Sequence, residues 1–148
     1  MKKKEVNILI NSFTFRKLPL FNLVELSKKR INKKIQIYLG NSISPPYSKF
    51  FKNYFINLPS CKDYNKKKIL KILKKFKINF VIPTSDKELI FWSRYKNFFK
   101  SNDISIFISE YNSIKTCLDK LNFHKFCKAK NIPDIKILKN NSYKKKKY

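Results

Sequence analysis

The segment from residue 78 to residue 88 reads Ile-Asn-Phe-Val-Ile-Pro-Thr-Ser-Asp-Lys-Glu, and it carries two successive structural signals. Its first six residues, Ile78–Pro83, are mostly apolar and partly β-branched, which indicates a buried strand. Thr84, Ser85 and Asp86 follow, and side chains of these types often cap the beginning of a helix. The segment therefore predicts a buried strand that turns directly into a helix from Lys87 to about Lys100.

The same alternation of strand and helix continues on both sides of this segment. Further strands are predicted at Glu5–Ser12, Ile35–Leu39, Tyr54–Leu58 and Ile104–Ile108. Helices are predicted at Leu20–Arg30, Asp63–Lys77, Tyr111–Leu118 and Lys120–Lys130, with Asp119 as a candidate cap for the last of these. The helix at Asp63–Lys77 is the clearest, because its apolar residues form one stripe and lysines fill the other face. This order predicts an α/β fold, with an open, mainly parallel, doubly wound sheet of about five strands and helices on both faces.

The strongest compositional feature is a formal charge of +26, from 35 Lys and Arg against 9 Asp and Glu. Such a field attracts polyanions. Only three of the cations are arginine, and Gly and Ala occur once each, whereas residues with A/T-rich codons (Lys, Asn, Ile, Phe and Tyr) are abundant. We therefore interpret most of the charge as a consequence of base composition, and we expect any nucleic-acid binding to be non-specific.

A basic module that binds RNA or another polyanion is the alternative function. Aromatic residues that could stack on bases interleave with lysines in one segment, at Tyr47, Lys49, Phe50, Phe51, Lys52 and Tyr54. Binding by such a module would fall steeply with salt concentration.

Several classes of protein and site are disfavoured by the sequence. No apolar run approaches the roughly 20 residues that span a bilayer, and Ile8–Ile10 is too short for a signal peptide. We therefore expect a cytoplasmic protein without membrane contact. The three cysteines and the single histidine, His124, show no zinc-ligand spacing, which favours reduced and mostly buried thiols. A half-buried or surface position is expected for His124, and we assign no catalytic residue and no metal ligand.

Ligands of an open parallel sheet bind beyond the carboxyl ends of its strands. Residues 11–16, 41–45 and 83–88 are expected there. The first of these segments contains no glycine, which argues against a dinucleotide or P-loop phosphate site. Asp86 and Glu88 could form an acidic pair toward a ligand, but residues two apart on a helix point in different directions. A capping role near the positive helix end is favoured, and ligand contact stays open.

Several segments, taken together, are similar to a known family. Residues 81–89, 109–114, 117–121 and 126–133, with the opening residues 7–12, resemble the N-terminal (pre-ATP-grasp) region of an ATP-grasp ligase. The branch they resemble is the carbamoyl-phosphate-synthase large-chain-like one, whose pre-ATP-grasp domain is Rossmann-like. The resemblance covers about residues 6–138. It implies ATP-dependent joining of a carboxylate to an amine or a similar nucleophile, through an acyl phosphate and with magnesium.

The resemblance also implies roles for individual residues. It places Lys120 at the phosphates of ATP, and it places a substrate-side turn at Ser12, Arg16, Thr84, Asp86 and Glu88. A small-molecule substrate and ATP are the implied ligands. Phe13-Thr14-Phe15 stands where the family has a glycine turn, which argues against close approach of a ligand at that point.

The resemblance divides the chain into three parts. A pre-ATP-grasp domain is expected at residues 1–110, and a helical linker with the first strand of an ATP-grasp domain at 111–138. A basic, disordered tail is expected at 139–148. Most of the ATP and magnesium site would lie beyond Tyr148, so a second chain or a missing C-terminal domain is the expected partner. We expect negligible ligase activity from these 148 residues alone.

Overall fold

The computed structural model describes residues 5–28, 30–31, 34–51 and 54–133. The chain divides into two compact units, residues 1–114 and residues 115–148. This division falls a few residues after the domain boundary predicted at residue 110. The end of the segment predicted at 111–138, where its strand is expected, and the tail predicted at 139–148 lie outside the described residues.

Five parallel strands form one sheet in the first unit. They are β1 (Glu5–Asn11), β2 (Lys34–Asn41), β3 (Phe55–Asn57), β4 (Ile78–Pro83) and β5 (Ser105–Ile106). Their spatial order is β3-β2-β1-β4-β5, with every described pairing parallel. The predicted fold class is thus confirmed, and β4 has the predicted bounds. β5 is shorter than predicted, because the backbone turns tightly after Ile106, with the Ile108 N–H donating to the Ile106 carbonyl.

Six α-helices lie in the described part of the chain. They are α1 (Leu18–Lys28), α2 (Lys66–Lys75), α3 (Asp86–Arg94), α4 (Lys96–Lys100), α5 (Tyr111–Leu118) and α6 (Lys120–Ala129). The single helix predicted at residues 87–100 is instead two helices. Tyr95, with φ −101° and ψ 13°, departs from helical geometry between them. A 3₁₀ helix, Pro46–Phe51, directly follows the segment 41–45 that is expected beyond the end of β2.

Helices pack on both faces of the sheet. On one face, α2, α3 and α4 bury Ile69, Leu73, Trp92 and Phe99 against strand residues such as Leu9 and Val81. On the other face, α1 packs Leu20, Phe21 and Val24 over Ile10, Ile37 and Leu39. This burial on both faces confirms the doubly wound arrangement. The carboxyl ends of the neighbouring strands β1, β2 and β4 lie together at one edge of the sheet, where a ligand can bind. None of the described helices combines the length and the apolar character needed to cross a bilayer.

Candidate functional site

An open cleft of about 680 Å³ lies at the carboxyl ends of β1, β2 and β4. Its lining comes from the three segments that the sheet rule selects: Ser12, Thr14, Phe15, Arg16, Lys17, Asn41, Ser42, Thr84, Ser85, Lys87 and Glu88. The cleft therefore occupies the position at which open parallel sheets bind their ligands.

Ser12 forms the turn that leaves β1. Its φ of 57° places it in the left-handed region, which a residue with a Cβ adopts only at an energetic cost. Two contacts hold the turn in place: the Ser12 hydroxyl donates to Glu88, and the Thr84 hydroxyl donates to the Asn11 carbonyl at 2.7 Å. The loop after β1 is thus tied to the loop after β4.

Glu88 is a fixed carboxylate. Its Oε2 accepts from the Asn11 side-chain amide at 2.5 Å as well as from Ser12, and Asn11 is only 1% exposed. Asp86 instead points away as an exposed first-turn residue of α3 and does not line the cleft. The two acids thus have different positions, as their spacing predicts.

α3 begins without a side-chain cap. Ser85 is the N-cap residue, but its side chain makes no capping hydrogen bond. Asp86 and Glu88 both lie in the first turn, where negative charge is stabilised by the helix dipole. The N-cap residue Ser85 and the first-turn residue Lys87 line the cleft, so the positive end of this helix borders it.

The electrostatic character of the cleft is positive. Arg16, Lys17 and Lys87 line it, and the one acidic lining residue, Glu88, is already hydrogen-bonded to β1 and to Ser12. The N-terminus of α3 adds a partial positive charge of its own. This combination favours a small anion, such as a carboxylate or a phosphate.

Phe13 follows Ser12 in the turn after β1 and does not line the cleft. Its side chain is fully buried and packs with α1 residues and Tyr47, while its carbonyl accepts from the Tyr47 hydroxyl at 2.9 Å. Its neighbour Phe15 is 60% exposed and lines the cleft. The Phe13 ring therefore lies in the core and does not line the cleft. Whether this segment limits the approach of a ligand stays a prediction.

Cys61 lies beside Asn11, Ser12 and Glu88, which are joined by hydrogen bonds. The Asn11 amide nitrogen is 3.8 Å from its sulfur. Burial, and then the nearby Glu88 carboxylate, raise the pKa of the Cys61 thiol, so the thiol is protonated and a poor nucleophile at neutral pH. Only Cys127 is buried, whereas Cys61 is half-buried and Cys117 is exposed. The prediction of mostly buried thiols is thus correct for one of the three.

Lys120 belongs to the second compact unit. It is the first residue of α6 and is exposed. The predicted cap is confirmed, because the Asp119 carboxylate accepts from the backbone N–H groups of Leu121 and Asn122 at 2.9 and 3.0 Å. A role for Lys120 at nucleotide phosphates stays a prediction. His124, on the same helix, is half-buried.

The aromatic segment of the alternative function does not form one stacking surface. Tyr47 and Phe51 are half-buried, with ring centroids 6.2 and 5.8 Å from that of Phe13. Phe50 and Tyr54 are 86% and 46% exposed. Two of the four predicted stacking rings, Tyr47 and Phe51, therefore pack against the core.

Four of the six predicted site residues come together in the structure. Ser12, Arg16, Thr84 and Glu88 line one cleft, Asp86 faces solvent, and Lys120 belongs to the other unit. Sequence reasoning missed Lys17 and Lys87 as cleft cations, although Lys87 lies inside the turn that the strand signal identifies. No protein-family model matches this chain, and no curated protein is significantly similar to it in sequence.

Proposed function

We propose that the first unit is the substrate-side domain of an ATP-dependent carboxylate–amine ligase, and that its cleft binds an anionic small-molecule substrate. One observation carries this proposal: Arg16, Lys17 and Lys87 line a cleft at the carboxyl edge of a parallel sheet, beside the N-terminus of α3. The family-like segments described above supply the reaction class, and the cleft supplies the chemistry of the ligand.

Each part of the cleft has a role in holding a carboxylate. The Arg16 guanidinium can form a two-pronged pair with one carboxylate, and Lys87 adds a point charge. Ser12 and Thr84 are already bonded to Glu88 and β1, so the turn that presents them is rigid before a ligand arrives. Such preorganisation lowers the entropic cost of binding.

In this role the unit binds and orients its substrate. ATP, when bound to the complete ligase, would activate the carboxylate as an acyl phosphate. In the part of the chain that the structure describes, no group of three or more His, Cys, Asp and Glu side chains could hold a metal ion. We therefore assign this unit no step that involves magnesium.

Isothermal titration of the full chain tests the proposal. The ligands are a small dicarboxylate, inorganic phosphate, Mg-ATP and phosphonoacetate, in which a CH₂ group replaces the bridging oxygen of an acyl phosphate. We expect saturable binding of the dicarboxylate or of phosphonoacetate, weakened about tenfold or more in R16Q/K87Q, because charge-assisted hydrogen bonds are lost.

The matched control is R30Q/K100Q, which also removes one arginine and one lysine charge, but from exposed positions outside the cleft lining. Equal weakening of ligand binding in both double variants would show that binding responds only to the overall positive charge of the protein. Mg-ATP competing with phosphonoacetate for the cleft would make the site a nucleotide site and would refute the substrate-side role.

A further inference from the structure

A second positive surface lies on α2, apart from the cleft. Tyr64, Lys68, Lys71 and Lys75 are spaced by four, three and four residues, which places them on one side of the helical segment. Tyr64 belongs to the 3₁₀ turn Asp63–Asn65, which continues directly into α2. We call these four residues the α2 stripe, and it extends over about 17 Å.

The core determines which way the stripe faces. Ile69 and Leu73, on the opposite side of α2, are both fully buried. Two other lysines of the helix are engaged elsewhere: the Lys66 Nζ lies 4.4 Å from the centroid of the Tyr95 ring, and the Lys74 Nζ donates to Asn102 at 2.7 Å. The three lysines of the stripe are exposed, so their positive charges are presented together to solvent. The Lys75 Nζ also lies 5.8 Å from the centroid of the adjacent Phe76 ring, a longer contact than that of Lys66 with Tyr95.

The charge of the stripe is not compensated by nearby acids. Among the described residues, each ion pair joins groups other than the α2 lysines. Asp63, the acid closest in sequence to the beginning of the helix, pairs with Arg94 at 2.7 Å. A surface of this kind lowers the free energy of a bound polyanion.

Tyr64 adds an aromatic ring to the end of the stripe. Its side chain is 76% exposed, and the Lys62 Nζ lies 5.9 Å from the ring centroid. An exposed ring beside a row of cations suits a strand whose unpaired bases can stack while its phosphates contact lysines. A lipid surface fits less well, because α2 has already buried its apolar face in the core and has none left to insert.

We propose that the α2 stripe binds single-stranded nucleic acid, with Lys68, Lys71 and Lys75 at successive phosphates and a base stacked on Tyr64. The inference is independent of the ligase proposal, because no residue of the stripe lines the cleft. It also differs from the aromatic segment at residues 47–54, of which two rings are committed to the core.

Fluorescence anisotropy of the full chain with a labelled single-stranded RNA of about 12 nucleotides tests this inference. The test variant is K68Q/K71Q/K75Q, and the matched control is K125Q/K128Q/K130Q, which removes three exposed lysines from α6 and its C-cap. We expect the test variant to bind at least tenfold more weakly than the control. We also expect the slope of log affinity against log salt to become shallower by about 2 in the test variant, since each phosphate contact contributes about 0.7.

Tyr64→Ala separates stacking from charge. It should weaken binding of the RNA at least about fivefold, and it should leave binding of heparin, a polyanion without bases, unchanged. Equal loss in the two triple variants would overturn the inference, because it would show only a general response to a charge of +26. Stronger binding to vesicles rich in anionic lipid than to RNA, with dependence on the same lysines, would also overturn it.

Discussion

The Glu88 carboxylate is predicted to join α3 to the end of β1, and its replacement by alanine tests that connection. Glu88 Oε2 accepts from the Asn11 side-chain amide at 2.5 Å and from the Ser12 hydroxyl. Asn11 is 1% exposed with the carboxylate in place. Without the carboxylate, its amide nitrogen keeps only the longer contacts with Ser12 Oγ at 3.4 Å and Cys61 Sγ at 3.8 Å.

The magnitude follows from what E88A leaves unpaired. A buried polar group without a partner costs about 1–3 kcal/mol, and bonds to an ionised acceptor are about twice as strong as neutral ones. We therefore expect E88A to lower the free energy of unfolding by about 2–3 kcal/mol. This is a large fraction of the roughly 5–15 kcal/mol that stabilises a typical domain. E88Q retains an acceptor oxygen and should cost about half as much.

Urea unfolding followed by fluorescence provides the measurement, because Trp92 is the single tryptophan and is fully buried. The matched control is D86A, which removes an exposed first-turn acid of the same helix and should cost at most about 1 kcal/mol. An E88A cost no larger than that of D86A would refute the connection.

Three further predictions concern other parts of the first unit. Lys77 has φ 50° just after α2, so K77G should raise the free energy of unfolding by about 1 kcal/mol in urea melts. K75G, within α2, should lower the free energy of unfolding by a similar amount. A destabilised K77G would contradict this prediction. Burial and Glu88 raise the pKa of Cys61, so only the unfolded chain loses this proton above about pH 8.5, and stability should fall there by up to about 1.4 kcal/mol per pH unit. C61A should remove that part of the slope in melts between about pH 8 and 9.5, and identical slopes would count against it. Phe107 is 79% exposed and lines an apolar groove of about 400 Å³ together with Ile8 and Phe80, so we expect copies of the chain to associate through this groove. F107S should reduce that association in sedimentation velocity, whereas F50S, at a similarly exposed position outside the groove, should not; similar effects of the two would argue against the groove.

The elements that sequence predicts best are those with local signals. Ile78–Pro83 has the predicted bounds because its apolar, β-branched run ends at a proline and is followed by the polar residues Thr84 and Ser85. The sequence pattern predicts a single helix where the structure has two, within residues 86–100. The helical spacing of apolar residues continues through Tyr95, and neither Gly nor Pro marks the break. Phe107 extends the apolar pattern of β5, but the backbone turns after Ile106.

The site was predictable in place but not in detail. The rule for parallel sheets selects the three loops that line the cleft. It does not show which acid turns inward, because Asn11 and Glu88 are 77 residues apart and no local pattern joins them. It also does not show that Phe13 enters the core while Ser12 adopts the left-handed φ of 57°. Both outcomes depend on tertiary packing.

The most direct measurement of the ligand site is a backbone amide NMR titration of the full chain with phosphonoacetate. We expect the amides of Ser12, Thr14, Ser85 and Lys87, which line the cleft, to shift together with one midpoint, and we expect R16Q/K87Q to raise that midpoint about tenfold or more. Shifts confined to the lysines of α2 and α6, with unchanged cleft amides, would contradict it.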